Sequence, residues 1–465
     1  MLTYFFNDKD PEPLYQQLYR YIKEDIEEGQ LSTDEKLPSK RSFAKNLNLS
    51  TITIENAYSK LMAEGYIYSL PKRGYFVADV KKRPEISGIK SGRIFDAPED
   101  GGALIDLAGN NTNPDNFPFS VWAKLMREVI LDLPKSLMTS SPPAGIYALR
   151  EAIAAQLRRF RGMDVKADNI VIGAGNDYLY RLIIELLGCD RHYALEEPGY
   201  RKLRGICSAL GLRHSFISID DRGINMEELR RSGADVLHFS PAHHYPSGIV
   251  TPIDRRYEII GWAAADKNRY IIEDDYDSEF RMTGKPVPTL QSIDELEKVI
   301  YLNTFSKTLC STIRISYMVL PDHLLRQLSR AMGSYSCTVS NFEQYTLLRF
   351  LNDGHFESHI NRMRQYYKAL RDSLLGEIKV SPLSERVTVA EENAGLHFLL
   401  KINTELPDAV LYERALKKGL RLSFLSSFYR TPASINQHIL VINYSGINPE
   451  DIKRAVDILT ECISG

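Results

Sequence analysis

The chain is 465 residues long, 43% hydrophobic and 25% charged, with a formal net charge of −2. That length exceeds one ordinary core and predicts several domains, and no uncharged apolar run is long enough to predict a membrane span. Near-neutral charge would argue against a nucleic-acid partner if it were evenly spread, but positions 1–35 hold three basic against nine acidic residues, whereas 36–78 hold seven basic against two acidic.

The opening "MLTYFFNDKDPEPL" has no basic flank, apolar stretch or small-residue cleavage site, so a cytoplasmic location is expected. Cys189, Cys207, Cys310, Cys337 and Cys462 stand singly, which suggests neither a disulfide framework nor a metal site.

In "PLYQQLYRYIKEDIEEGQL", Leu14, Leu18, Ile22 and Ile26 recur every four residues and predict a first helix ending near Gly29. "LPSKRSFAKNLNL" predicts a second, capped by Ser39 and stopped at Asn48. After a short turn, "STITIENAYSKLMAEGYI" predicts a third, capped by Ser50 and packed through Ile54, Ala57, Tyr58 and Leu61. "YIYSLPKRGYFVADV" reads as two strands joined at Pro71, Lys72, Arg73 and Gly74. Helix, helix, helix, basic hairpin is the order of a helix-turn-helix with a wing.

Such a unit offers the N-terminus of its third helix to the major groove. Lys40, Arg41 and Lys45 can neutralise phosphates, Arg73 can reach the backbone or the minor groove, and Ser50, Thr51 and Thr53 are expected base or phosphate contacts. A helical protein-interaction module with a solvated basic face is the competing reading. The whole stretch from Leu37 to Val77 resembles the winged helix-turn-helix of GntR-type bacterial regulators, departing at Thr51, where relatives often carry arginine. Residues 1–80 form the expected DNA-binding domain, and 81–102, rich in charge, Gly, Pro and Ser, a flexible tether.

Over 103–465 the runs "NIVIGAG", "ADVLHFSP", "RYIIEDDY", "VIYLNTFS" and "RISYMVLP" alternate with helical stretches, which predicts an α/β domain with a mostly parallel sheet. Ligands of such sheets bind beyond the carboxyl ends of the strands. Gly173 and Gly175 in "GAGNDYLYRLI" allow close backbone approach, and the helix opening near Asn176 suits an anion. "EDDYDSEF" sets three carboxylates in a row at a strand end, one of which should have a cationic partner. "TFSKTL" places Lys307 at the next strand end, with Arg314 seven residues on. A lysine in a dry site has a lowered pKa and forms Schiff bases with aldehydes. A phosphate cradle, a carboxylate for a pyridinium and an amine for an aldehyde are what pyridoxal 5'-phosphate requires.

The motifs "PAGIYALREAIAAQLRRFRG", "EEPGYRKLRG", "HHYPSG", "IIEDDYDSEFR", "YLNTFSKTL", "RISYMVLP" and "NAGLHF" resemble those of a fold-type I aminotransferase, in order and spacing. With the winged helix in front, the chain resembles the MocR family of regulators, including its GabR-like and PdxR-like branches. The resemblance implies a large transferase-type domain with a smaller C-terminal α+β subdomain, a head-to-tail homodimer and a duplex operator with repeated half-sites. It also implies that Lys307 forms the Schiff base, Asp274 pairs with the pyridine nitrogen and Tyr276 donates to the ring oxygen. Gly175, Asn176, Thr304 and Arg314 would bind phosphate, and Tyr200 would stack on the ring.

Two departures stand out. Tyr245 replaces the asparagine that many aminotransferases carry in Asn-Pro-x-Gly, and His244 or His243 could supply the missing hydrogen bond. Ser427 stands where a carboxylate-gripping arginine is expected, with Arg430 three residues on as a candidate effector contact. The sequence therefore supports a regulator that senses pyridoxal phosphate, or an amine or amino acid joined to it as an external aldimine. The alternative is an aminotransferase with an accessory DNA-binding domain.

Overall fold

The computed structural model describes residues 4–6, 12–80, 104–109, 112–280, 287–333, 335–391, 395–431 and 438–464. The chain divides into two compact units, Met1–Glu99 and Asp100–Gly465. The expected tether over 81–102 lies outside the described residues.

In the first unit, helices α1 (Leu14–Glu27), α2 (Lys40–Leu47) and α3 (Thr51–Ala63) are followed by the antiparallel strands β1 (Ile67–Leu70) and β2 (Gly74–Val77). Local chemistry sets the boundaries. Ser39 accepts from Ser42 N at 3.2 Å to start α2, and Asn48 takes the left-handed conformation that ends it. Ser50 accepts from Thr53 N at 3.0 Å to start α3. Leu18 and Ile22 of α1 pack with Phe43, Ile54, Tyr58 and Leu61 in one core. Each such side chain contributes about 1.5–3 kcal/mol by leaving water.

The strands of the second unit are β3 (Ile105–Asp106), β4 (Ile170–Gly173), β5 (Tyr193–Glu197), β6 (His214–Asp220), β7 (Gly223–Ile224), β8 (Val236–Phe239), β9 (Tyr270–Asp274), β10 (Val299–Thr304), β11 (Ser316–Val319), β12 (Val387–Ala390), β13 (His397–Ile402), β14 (Leu420–Arg421) and β15 (Ile439–Asn443). Among the described residues, eight form one sheet in the order β4-β11-β10-β9-β8-β5-β6-β7. The neighbours from β10 through β6 are parallel, and β11 runs against both β10 and β4. The link 305–315 is too short for a helical crossover, so the chain reverses and pairs at once. That reversal sets Ser316 opposite Thr304 and returns Arg314 to the carboxyl edge of the parallel strands.

Helices cover both faces, as apolar strands such as Ile170–Gly173 require, since each of its residues is buried. The antiparallel sheet β12-β13-β15, with helices Asp408–Lys417 and Ile452–Ser464, makes the smaller C-terminal α+β part. The cationic partner expected for the carboxylate run is Arg161, whose Nη2 lies 2.9 Å from Asp275 Oδ2, with both side chains buried. Tyr301 Oη also donates to that oxygen at 2.6 Å, so Asp275 ties the helix Tyr147–Arg161 to the sheet.

Candidate functional site

The carboxyl edge of the large sheet gathers side chains from five separate segments. Asp274 ends β9 and is buried, and its Oδ2 accepts from Tyr180 Oη at 2.6 Å. His238, in the middle of β8, has Nε2 3.0 Å from the same hydroxyl and 3.8 Å from Asp274 Oδ2. The other oxygen, Oδ1, is buried without a hydrogen-bond partner among the described residues, as is Tyr276 Oη. An unpartnered buried oxygen costs about 1–3 kcal/mol, which a bound donor or acceptor would recover. The two orphans therefore fit a ligand carrying a ring N–H and a ring oxygen.

Lys307 sits in the short helix Phe305–Thr308 that opens from the end of β10. Its side chain is only partly covered, yet protein encloses it closely enough that burial pushes its ammonium down to about 7, with Asp277 opposing the shift. Near neutral pH, much of this amine is therefore in its nucleophilic form. Asp277 is buried against His243, whose Nδ1 is 3.0 Å from its Oδ2.

Gly175 caps the helix Asn176–Leu187 with φ +88°, and a Cβ there would collide with the Arg314 guanidinium. The free amides of that helix and Arg314 thus bound a space only glycine leaves open, suited to a phosphate. Arg314 Nη2 lies 3.2 Å from Asp177 Oδ2, which Lys202 Nζ also approaches at 2.6 Å. Asn176 Oδ1 is buried without a partner among the described residues. The Thr304 hydroxyl accepts from Ser306 N at 3.1 Å and from Ser316 Oγ at 2.8 Å, holding the turn that carries Lys307.

Tyr200 lines a cavity with Glu196, Arg201, Phe216, His238 and Phe428. It is 42% exposed on the open side, while burial of its hydroxyl and the Asp274 and Asp177 carboxylates push its pKa up to about 12. His244 is buried, lies 2.6 Å from Ser247 Oγ through Nδ1, and is pushed down to about 3 by burial, so it is neutral. Tyr245, in the asparagine position, packs edge-on against Tyr276 with ring centroids 6.3 Å apart. His397 of β13 donates from Nε2 to Pro246 O at 3.2 Å, and burial holds it neutral down to about pH 3. Arg430 is exposed: its backbone N–H donates to Glu197 Oε1 at 2.8 Å and its guanidinium lies over Phe216. Ser427 instead meets the guanidinium of Arg201.

Tyr180 and His238 were not singled out by sequence. His238 left one signal, a lone polar residue inside the buried run "VLHF".

In the first unit, Arg41, Lys45 and Arg73 are exposed, and Arg41 and Lys45 form no ion pair among the described residues. Lys40 Nζ is bound to Glu55 at 2.6 Å. Ser50 Oγ and Thr53 Oγ1 lie 2.7 Å apart and are closed on each other, whereas Thr51 is exposed.

Comparison with known proteins matches residues 103–459 to the aminotransferase class I and II family and residues 14–77 to the bacterial regulatory proteins of the gntR family. The chain is 35% identical to the HTH-type transcriptional regulator YdeL of Bacillus subtilis, over 98% of each chain. It is 28% identical to the probable rhizopine catabolism regulatory protein MocR of Rhizobium meliloti, over 97% of this chain and 94% of that one. Among solved structures, a kynurenine aminotransferase of Pyrococcus horikoshii in complex with PMP superposes with a TM-score of 0.69 at 25% identity, covering 78% of this chain and 92% of that one.

Proposed function

Because the chain belongs to the MocR family of transcriptional regulators, a GntR-type DNA-binding domain joined to an aminotransferase class I and II domain, we propose that its large domain holds pyridoxal 5'-phosphate. Through it the chain senses the cofactor itself, or an amine or amino acid, and passes the result to DNA. The observation that carries this reading is the meeting, at one sheet edge, of the depressed Lys307 amine with the unpartnered Asp274 Oδ1 and Tyr276 Oη.

When bound, pyridoxal phosphate supplies an aldehyde and an electron-withdrawing ring. Lys307 would hold it covalently through its amine, the aldehyde oxygen leaving as water. Asp274 would accept from the ring nitrogen, with Tyr180 and His238 fixing its other oxygen. Tyr276 would donate to the ring oxygen. Gly175, Asn176, Thr304 and Arg314 would take the phosphate, and Tyr200 would stack on the ring. Arg430, and His244 as a neutral hydrogen-bonding group, remain the effector candidates.

The chain acts in the cytoplasm as a head-to-tail homodimer, with residues 81–102 as tether, and two reading domains meet repeated half-sites. Effector binding shifts the population between arrangements that present those domains differently. A working aminotransferase is the second reading, favoured by Lys307, Asp274 and Tyr276 together and opposed by Tyr245 and Ser427 at the two departures.

The test is the visible absorption of the full-length protein with and without pyridoxal phosphate, beside Lys307→Ala, followed by titration of amines. A band present in the wild type and absent in the variant is expected. Identical spectra would sink the proposal, and repeated conversion of an amino acid to its oxo-acid, with an added second oxo-acid accepting the amino group, would favour the enzyme.

A further inference from the structure

The first two turns of α3 and its cap carry six side chains able to meet a nucleic acid: Ser50, Thr51, Ile52, Thr53, Glu55 and Asn56. Three of these already have partners within the unit. Ser50 and Thr53 close on each other at 2.7 Å, and Glu55 holds Lys40 at 2.6 Å. Thr51, Ile52 and Asn56 are exposed. Ile52 and Asn56 stand one turn apart on the side opposite buried Ile54, Ala57, Tyr58 and Leu61.

A single exposed isoleucine is ordinary on a protein surface. Ile52 differs in its place: it is 69% exposed at the N-terminus of the helix that a helix-turn-helix inserts into the major groove, in the unit whose α2 carries the exposed cations Arg41 and Lys45. The basic excess of 36–78 matches a polyanion, and an apolar tip within that field suits the apolar group of a base edge. In the major groove that group is the thymine 5-methyl, and the side-chain amide of asparagine matches adenine N6 and N7.

We propose that Ile52 reads a thymine methyl and that Asn56, one turn on, reads a neighbouring adenine, so that each half-site carries an invariant T and A at adjacent positions. Thr51 is left to the phosphate or to a flanking base. The inference rests on the first domain binding duplex DNA, and its test separates the two claims.

An operator would first be selected from random duplex by the full-length protein. Each thymine of a half-site would then be replaced singly by deoxyuridine, which removes only the methyl, and affinity measured for the wild type, Ile52→Ala and Asn56→Ala. One thymine per half-site is expected to cost the wild type about fourfold on losing its methyl, the effect of burying one such group, and to cost Ile52→Ala nothing. Replacing the neighbouring adenine by 7-deazaadenine is expected to weaken the wild type about tenfold and Asn56→Ala not at all. Absence of any methyl-sensitive thymine, or a methyl effect undiminished in Ile52→Ala, would overturn the assignment. Failure to select any duplex would instead overturn the DNA-binding premise. Ile52 is exposed, so Ile52→Ala keeps its fold, and Ile52→Val is expected to keep part of the methyl effect.

Discussion

The two units assemble their working surfaces at opposite ends of the range of sequence separation. In the first, the cap of α3, the readers of its opening turns and the cations of α2 all come from residues 39–56. In the second, Asp274 is completed by Tyr180, 94 positions earlier, and Arg314 reaches Asp177, 137 positions earlier. A surface made locally depends on one small core behind it. A surface made from distant strand ends depends on the register of a whole sheet.

If that contrast is right, damage should stay with the unit that suffers it. The largest effect is expected from Lys307→Ala, which removes covalent cofactor attachment entirely while leaving operator affinity of the cofactor-free protein unchanged; spectra and a binding isotherm check both. Leu18→Ala is expected to cost the first unit about 2–5 kcal/mol through the cavity it leaves. DNA binding should fall with it, and the spectrum of the large domain should persist, as calorimetry and absorbance would register.

Smaller changes sharpen the comparison. Gly175→Ala puts a methyl into the Arg314 guanidinium at φ +88°. Cofactor affinity is expected to drop about tenfold, the equivalent of about 1–3 kcal/mol of backbone strain, as fluorescence titration would measure. The attachment rate should depend on pH with the sign set by Lys307. Its ammonium is pushed down to about 7, so the neutral amine rises from about one-tenth at pH 6 to about nine-tenths at pH 8. Attachment should therefore accelerate about ninefold across that interval, and a rise beginning only above about pH 9 would contradict the burial of that amine. The smallest effect is that of Arg41→Ala, expected to weaken all sequences alike and lower the slope of log affinity against log salt by about one.

The same contrast explains what the sequence disclosed. Ser39, Ser50 and Asn48 punctuate α2 and α3 by hydrogen bonds within a few residues, so their boundaries were legible. The strand-end residues Asp274, Lys307 and Gly175 were legible because each follows an apolar run, and family resemblance supplied their roles. Tyr180 and His238 were hidden because their purpose appears only when β8 and β9 pair and the helix after β4 packs beside them. The commitment of Ser50, Thr53 and Glu55 was hidden for a different reason. The sequence identifies a polar residue near the groove, whereas only the folded helix reveals which partner it already has.

The hydrogen bond from His397 to Pro246 makes β13 and the 243–248 loop one mechanical piece. Pro246 shares that loop with His243, His243 faces Asp277, and the charge of Asp277 acts on Lys307. The three-stranded sheet could swing away from the loop only by stranding buried polar groups, at a cost of about 1–3 kcal/mol. Because the His397 ring stays neutral down to about pH 3, ordinary acidity does not loosen the joint. The C-terminal sheet is thus coupled to the reactive amine by a tie rod that transmits displacement.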